Sequence, residues 1–495
     1  MALKIGIIGA GIAGLATALR LRAQGHEVVV FESNSYAGGK LHALHLEGYR
    51  FDLGPSLFTM PHFVDELFVL FKEHPRDHFN YLRKENVCNY FWEDGTRFEA
   101  SADREVFVKK FSTTFNEDPN SVVDFLNNSA LKYELTSPLF IEQSLHRLQT
   151  YCSPKTLKAV LKLPSLDVHK NLFKTLKSYF RNPKSLQFFS RHATYNGSSP
   201  YKTPGIMSLI PHLEMHFGTF YPKGGMHEIS QSLYRLAQRQ GVSFHLDEGV
   251  EEIILNSNNK RVRGLKTKLK EYHFDVVVSN MDVVSTYRKL LPTIKAPERT
   301  LRQERSSSAL IFYWGIARTF EQLDLHNIFF SDAYSEEFKA IFEDKTLHED
   351  PTVYVNITSK HTPSDAPDNC ENWFVMINAP GNYEQNWDEL IALSRERIIA
   401  KLSRILNCDL AALITVEHIL DPRGIEQSTQ SYRGALYGAA SNSQFSAFLR
   451  HPNHRSALSN VYFCGGSSHP GGGIPLCLQS GKIVSELIAN DFNID

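Results

Sequence analysis

The chain is short of most features that would send it to a special environment. Its six cysteines (Cys88, Cys152, Cys370, Cys408, Cys464, Cys477) are scattered, with no CxxC pair, which argues against a disulfide framework and a zinc site and fits a reducing cytoplasm. No run of about 18 apolar residues occurs, so no segment is expected to span a bilayer. The first residues read as strand and turn rather than as a cleavable signal, because glycines interrupt the apolar stretch around Ile5, Ile7 and Ile8. Charge of one sign is missing too: a formal net charge of -1 gives no general attraction to nucleic acid or to anionic substrates. Internal repeats, low-complexity tracts, a P-loop, HExxH and a Ser/His/Asp grouping are all absent.

What is present is length and glycine at both ends. With 495 residues, two domains, or one large domain carrying an insertion, are expected. "KIGIIGAGIAGL" (4 to 15) and "HEVVVFE" (26 to 32) read as strand, helix and strand, a βαβ start. Helical periodicity with many aromatics follows from about 60 to 220. A helix at 226 to 241 then precedes strands between 242 and 280. Further strands ("SSALIFYW", "TVYVNIT", "WFVMINA", "LITVEHI"), a helix around 388 to 406, a strand at "NVYFCGG" and a helix from 474 to 489 complete the chain. The expected fold is α/β with an α+β insert. Residues 1–60, 218–295 and 421–495 form a Rossmann-like nucleotide-binding domain, and 61–217 with 296–420 form a substrate- and membrane-associating domain.

Gly9-Ala10-Gly11-Ile12-Ala13-Gly14 has the GxGxxG form directly after a strand. Gly9 permits the turn, Gly11 lets a pyrophosphate approach the backbone, and Gly14 lets the helix pack on the strand. Glu32 ends the second strand, placed to accept both ribose hydroxyls of an adenosine. Gly38-Gly39-Lys40 follows, offering a second close backbone approach; Lys40 is either near phosphate or a solvated surface lysine. At the far end "GGSSHPGGGIP" (465 to 475) sets bare backbone before the last helix, where the free amides of a helix start favour negative charge by about 0.3 to 1 kcal/mol.

The Glu32 to Gly39 spacing resembles that of FAD-dependent amine oxidases and carotenoid desaturases. "GGSSHPGGGIP" looks like the C-terminal flavin motif of bacterial phytoene-desaturase-type enzymes, and its GGxxHPGGGIPL form is most similar to 1-hydroxycarotenoid 3,4-desaturases. "FDLGPS" (51 to 56), "ATYNGSSPYKTPG" (193 to 205), "YPKGGM" (221 to 226) and "RGALYG" (433 to 438) extend the likeness over essentially the whole chain. The resemblance implies FAD as cofactor. Gly9, Gly11, Gly14, Glu32, Gly39 and Lys40 would surround its ADP portion, the Val250 backbone would meet adenine, and Gly466, Gly473, Ile474 and Pro475 would lie against the isoalloxazine. Phytoene desaturases usually carry a GAGTHPGAGIPG-like motif, from which Gly466, Ser468 and Leu476 depart.

The activity implied is 3,4-desaturation of an acyclic 1-hydroxycarotenoid. No carbonyl acidifies the hydrogens, so hydride transfer to flavin N5 is the expected route, leaving a cation spread along the polyene. Other carotene or phytoene desaturation, and a non-enzymatic prenyl-lipid escort on the same fold, are the alternatives. Oxygen and a membrane quinone both stand as terminal acceptor. His469 is a base or a loop-shaping residue, and Asp52 a base or a buried hydrogen-bonded acid. From Lys155 to Arg191, nine Lys and Arg face the single acid Asp167, with Leu and Phe interleaved. This reads as a basic amphipathic surface for the inner face of the cell membrane, or as a solvated face over a helical core.

Overall fold

The computed structural model describes residues 2–146, 166–258, 260–444 and 446–492. A five-stranded, all-parallel sheet runs in the order Val461–Phe463, Val276–Ser279, Lys4–Ile8, Glu27–Phe31, Ser243–His245. Its strands are short and β-branched because both faces are covered. Ile5, Ile7, Val28, Val30, Val276 and Val278 point into one core with the flanking helices. Their alternates, including Ile8, Val29, Phe31 and Val277, pack against an antiparallel sheet of Val250–Leu255, Val262–Thr267 and Glu271–His273.

The helices that open and close the chain, Ile12–Ala23 and Ile474–Asp491, lie side by side in the first core. Gly481 is what lets them approach: a Cβ there would sit 3.0 Å from the Thr17 amide nitrogen. The two glycine-rich ends of the sequence therefore meet at the C-terminal edge of one sheet.

A seven-stranded mixed sheet forms the second layer, in the order Ile414–Leu420, Ser308–Ile316, Glu371–Ala379, Val353–Ile357, His326–Phe329, Asn86–Phe91, Arg97–Ser101. All neighbours are antiparallel except His326–Phe329 beside Asn86–Phe91. The strand Glu371–Ala379 shows how the period of two sorts its side chains. Trp373, Val375 and Ile377 face the helix Trp387–Leu406, and Phe374, Met376 and Asn378 line a central cavity.

Two expectations change. The segment from 60 to 220 is not purely helical, because Asn86–Phe91 and Arg97–Ser101 are strands and Tyr81–Arg83 pairs with Phe220–Pro222. Asn86–Phe91 is buried almost throughout, so it lacks the polar alternation that marks a strand. The basic stretch is also not one amphipathic surface. Leu172, Leu176, Phe180, Phe188 and Phe189 belong to a buried aromatic cluster with Tyr90, Trp92 and Phe98, and Arg191 is buried in an ion pair with Glu214. Lys170, Lys174, Lys177 and Arg181 are exposed. Lys155, Lys158 and Lys162 lie outside the described residues. Among the described residues no helix is long and apolar enough to cross a membrane.

Candidate active site

One cavity of about 1130 Å³ runs through the molecule. Gly9, Gly11, Ile12, Ala13, Glu32, Gly38, Gly39, Lys40 and Val250 line it at one end, and Gly466, Gly473, Ile474 and Pro475 line it at the other.

The first end is made of backbone and one carboxylate. The helix Ile12–Ala23 begins at Gly11 with no side-chain cap and no acid in its first turn, leaving its leading amides free to meet an anion. Gly14 does not line the cavity; it allows the packing behind it, since a Cβ there would fall 2.2 Å from the Gly9 carbonyl oxygen. Glu32 is pinned rather than free. Its Oε2 accepts from the Ala10 amide at 2.8 Å, and its Oε1 from the Asn34 amide at 3.0 Å and the Asn34 Nδ2 at 2.9 Å. Gly38 donates its amide to the Ala10 carbonyl at 2.9 Å, which folds the Gly38-Gly39-Lys40 turn over Gly11.

Lys40 is not a solvated surface lysine. Its Nζ donates to the Leu436 carbonyl at 2.9 Å and the Ala435 carbonyl at 3.4 Å. Burial lowers its pKa, with Cys477 and Asp282 acting the other way. The side chain thus ties the nucleotide end to the ring end.

At the ring end the helix Ile474–Asp491 also starts on an uncapped glycine, Gly473, with no acid in its first turn. Arg450 lies behind the loop, its Nη1 donating to the Tyr437 carbonyl at 3.1 Å and the Gly466 carbonyl at 3.4 Å, and its Nη2 to the Ala439 carbonyl at 3.0 Å. No carboxylate pairs with it among the described residues, and burial together with Arg305 pushes it down to about 10. Asn280 links both loops. Its Nδ2 donates to the Gly9 carbonyl at 3.3 Å, and its Oδ1 would be 2.6 Å from a Cβ at Gly465.

A flavin dinucleotide fits these residues on two observations: both uncapped helix starts open into one cavity, and a buried cation with no carboxylate partner among the described residues stands at the end where a reduced ring carries negative charge. Beyond the ring end the cavity continues between Ile206, Ile210 and Leu213 on one side and Ile311, Phe374 and Met376 on the other. A polar cluster in this arm is paired mainly within itself: Arg191 Nη2 donates to Glu214 Oε1 at 2.6 Å, and Tyr195 OH donates to Glu214 Oε2, while Arg191 Nε is buried without a hydrogen-bond partner among the described residues. Burial alone would raise the Glu214 carboxyl, yet Arg191, His192 and Tyr195 carry it well below the usual range.

Neither candidate base reaches the cavity. Asp52 is held by Arg50 at 2.8 Å and accepts from the amides of Met226 at 2.8 Å and His227 at 3.0 Å. His469 is buried, donates its Nε2 proton to the Gln143 carbonyl at 2.8 Å, and is lowered to about 4 chiefly by burial. The sequence reading did not single out Asn280, Tyr437 or Arg450. Only Asn280 carried a usable signal, its position at the end of the buried strand "VVVS".

Comparison with known proteins agrees with this geometry. A family model described as flavin containing amine oxidoreductase matches residues 12–489. A 1-hydroxycarotenoid 3,4-desaturase from Flavobacterium sp. is 59% identical over 98% of each chain. A phytoene desaturase from Fusarium fujikuroi is 30% identical over 98% of this chain and 89% of its own, and a 4,4'-diapolycopene oxygenase from Methylomonas sp. is 32% identical over 99% and 98%. Among solved structures, the cyclohexylamine oxidase of Brevibacterium oxydans superposes with a TM-score of 0.63 at 16% identity over 100% of both chains. Putrescine oxidase bound to putrescine gives 0.63 at 15% over 99% of both. From the sheets, the two-ended cavity and these matches together, the chain belongs to the flavin-containing amine oxidoreductases, in their carotenoid desaturase branch.

Proposed function

We propose that the protein holds FAD across this cavity and desaturates an acyclic carotenoid, forming the 3,4 double bond of a 1-hydroxycarotenoid. The observation that carries this reading is the apolar arm leading to the ring end, together with the full-length similarity to the Flavobacterium enzyme. In this reading residues 1–60, 218–295 and 421–495 grip the cofactor, and 61–217 with 296–420 receive the polyene.

The flavin, when bound, supplies a two-electron acceptor for the hydride. The chain's own groups do the rest. Gly9, Gly11, Ile12 and Ala13 hold the pyrophosphate by backbone, Glu32 the ribose, and Val250 the adenine. Gly466, Gly473, Ile474 and Pro475 border the ring, where the free amides of the last helix and the Arg450 guanidinium stabilise negative charge. The apolar walls exclude water and align the polyene. His469 and Asp52 both face away, so neither receives the proton lost from the adjacent carbon.

The test is product analysis after FAD-loaded protein in liposomes meets acyclic carotenoids with and without a 1-hydroxyl, under air and, without oxygen, with a quinone. A 3,4-unsaturated product formed preferentially from the hydroxylated substrate is expected. Equal turnover of both removes the substrate reading and leaves the flavin reading standing.

The substrate dissolves in lipid, and the exposed Lys170, Lys174 and Lys177 suit anionic headgroups, which supports peripheral attachment to the inner face of the membrane. Reversing these three charges is expected to weaken co-sedimentation with anionic vesicles. Unchanged pelleting would rule out this face.

A further inference from the structure

The reading above leaves open how the enzyme recognises the hydroxyl, and the cavity holds a candidate. In a 1-hydroxycarotenoid the oxygen is three bonds from C3, so a group that meets it must stand beside the bond being oxidised. It must also be a buried polar group with no partner of its own, because only such a group is left unsatisfied by the hydrocarbon analogue.

Tyr437 meets both conditions. Its backbone is fixed on two sides, the amide donating to Ser306 Oγ at 3.0 Å and the carbonyl accepting from Arg450. Its position is set by close approach to the ring-end loop. A Cβ on Gly472 would come 2.7 Å from Tyr437 Cα, and one on Gly197 would come 2.9 Å from its Cδ2. The ring lines the cavity between those two glycines, and its hydroxyl has no hydrogen-bonding partner among the described residues. Burial pushes the phenol up to about 12, so it keeps its proton and donates at neutral pH. Two other cavity phenols are committed: Tyr354 OH bonds Ser56 Oγ at 2.8 Å and His326 Nδ1 at 2.7 Å, and Tyr195 OH bonds Glu214. Tyr36, Tyr133 and Tyr334 also line the cavity, but none of them is held against the ring-end loop as Tyr437 is by Gly472. Arg191 and Glu214 are committed to each other, with Arg191 Nε left unpartnered among the described residues.

We propose that the Tyr437 phenol receives the 1-hydroxyl of the substrate and is the residue that sets the preference for hydroxylated over unhydroxylated carotenoid. The hydroxyl oxygen accepts from the phenol, which draws the end of the polyene against the ring-end loop and places C3 and C4 beside the redox centre. This inference rests on the substrate reading proposed above. The nearest competitor is Asn378, whose amide faces the cavity from the strand Glu371–Ala379 and also has no partner among the described residues.

The test compares kcat/KM for a 1-hydroxycarotenoid and its unhydroxylated parent in wild type, Tyr437→Phe and Asn378→Ala, each as flavin-loaded enzyme in liposomes. Tyr437→Phe is expected to lower the ratio of the two by about 10- to 100-fold, through loss on the hydroxylated substrate with the parent unaffected, and with flavin absorbance unchanged. Asn378→Ala is expected to keep the wild-type ratio. A Tyr437→Phe enzyme that discriminates as well as wild type overturns the assignment. So does one that has lost its flavin, because the phenol then serves the cofactor. A wild type that shows no preference defeats the substrate reading before any variant is made.

Discussion

The two ends of the cavity perform related tasks with different materials. At the nucleotide end, the uncapped start of one helix, a folded-over glycine turn and one carboxylate come from residues 9 to 40, close in sequence, and Val250 is added from a later strand. At the ring end, the loop 465 to 473 is held by Asn280, Tyr437 and Arg450, and Lys40 reaches the adjoining carbonyls of Ala435 and Leu436, so residues far apart in sequence converge there. The first end recognises a constant chemical group and needs only a turn of fixed shape. The second end must place a reactive ring against a changing substrate and stabilise charge that exists only during turnover, which takes side chains from several elements.

If that contrast is right, backbone changes should dominate at the first end. Gly14→Val is expected to have the largest effect, since any Cβ collides with the Gly9 carbonyl and the helix start must move away from the strand. The variant should purify with about a tenth of wild-type flavin or less, read from absorbance against protein. Full flavin content would show that the helix start does not hold the cofactor.

Charge should dominate at the second end. Arg450→Gln removes a buried cation that has no carboxylate partner among the described residues, so the reduced, anionic ring loses stabilisation that the oxidised ring never used. The midpoint potential is expected to fall by about 20 to 60 mV, taking about 30 mV for each 1.4 kcal/mol, and Arg450→Lys should fall less. An unchanged potential in spectroelectrochemical titration would place the guanidinium in a purely structural role, gathering the carbonyls of Tyr437, Ala439 and Gly466.

The same contrast explains what the sequence discloses. The nucleotide end is legible because strand, GxGxxG, helix, strand and acid follow in order, each fixing the next. Lys40 follows them in sequence but works at the junction with the ring end, and nothing local distinguishes its two readings. Tyr437 and Arg450 are ordinary residues in irregular segments, and their roles arise only when residues 306, 437 and 466 come together. The mixed sheet was partly hidden for a different reason. His326–Phe329 and Asn86–Phe91 are short and nearly buried throughout, so neither alternates, and the aromatics around them suit a helix equally well. In the basic stretch, charge pattern alone did not distinguish Arg191, committed to Glu214 inside the protein, from Lys174, exposed to water.

Acid should loosen the ring end before the nucleotide end, because two buried histidines are built into it. His469 donates its amide to the His451 carbonyl at 2.9 Å, and His451 Nε2 lies 3.1 Å from Tyr287 OH. Burial depresses His469 to about 4 and His451 to about 3. Both are neutral in folded and unfolded chains above about pH 6.5. Below that the unfolded chain takes up protons that the folded chain refuses, so stability falls as pH drops from about 6.5 toward 4, by about 1.4 kcal/mol per pH unit for each histidine. The expected result is a Tm that declines through this window, with the flavin absorbance shifting as the ring is exposed before the dinucleotide dissociates. Replacing His451 with Phe, which keeps the packing on Phe463 and cannot protonate, should flatten part of the decline. A slope unchanged in that variant would move the acid sensitivity to His326, His212 and His227, which burial also depresses, and would remove the ring end from the account.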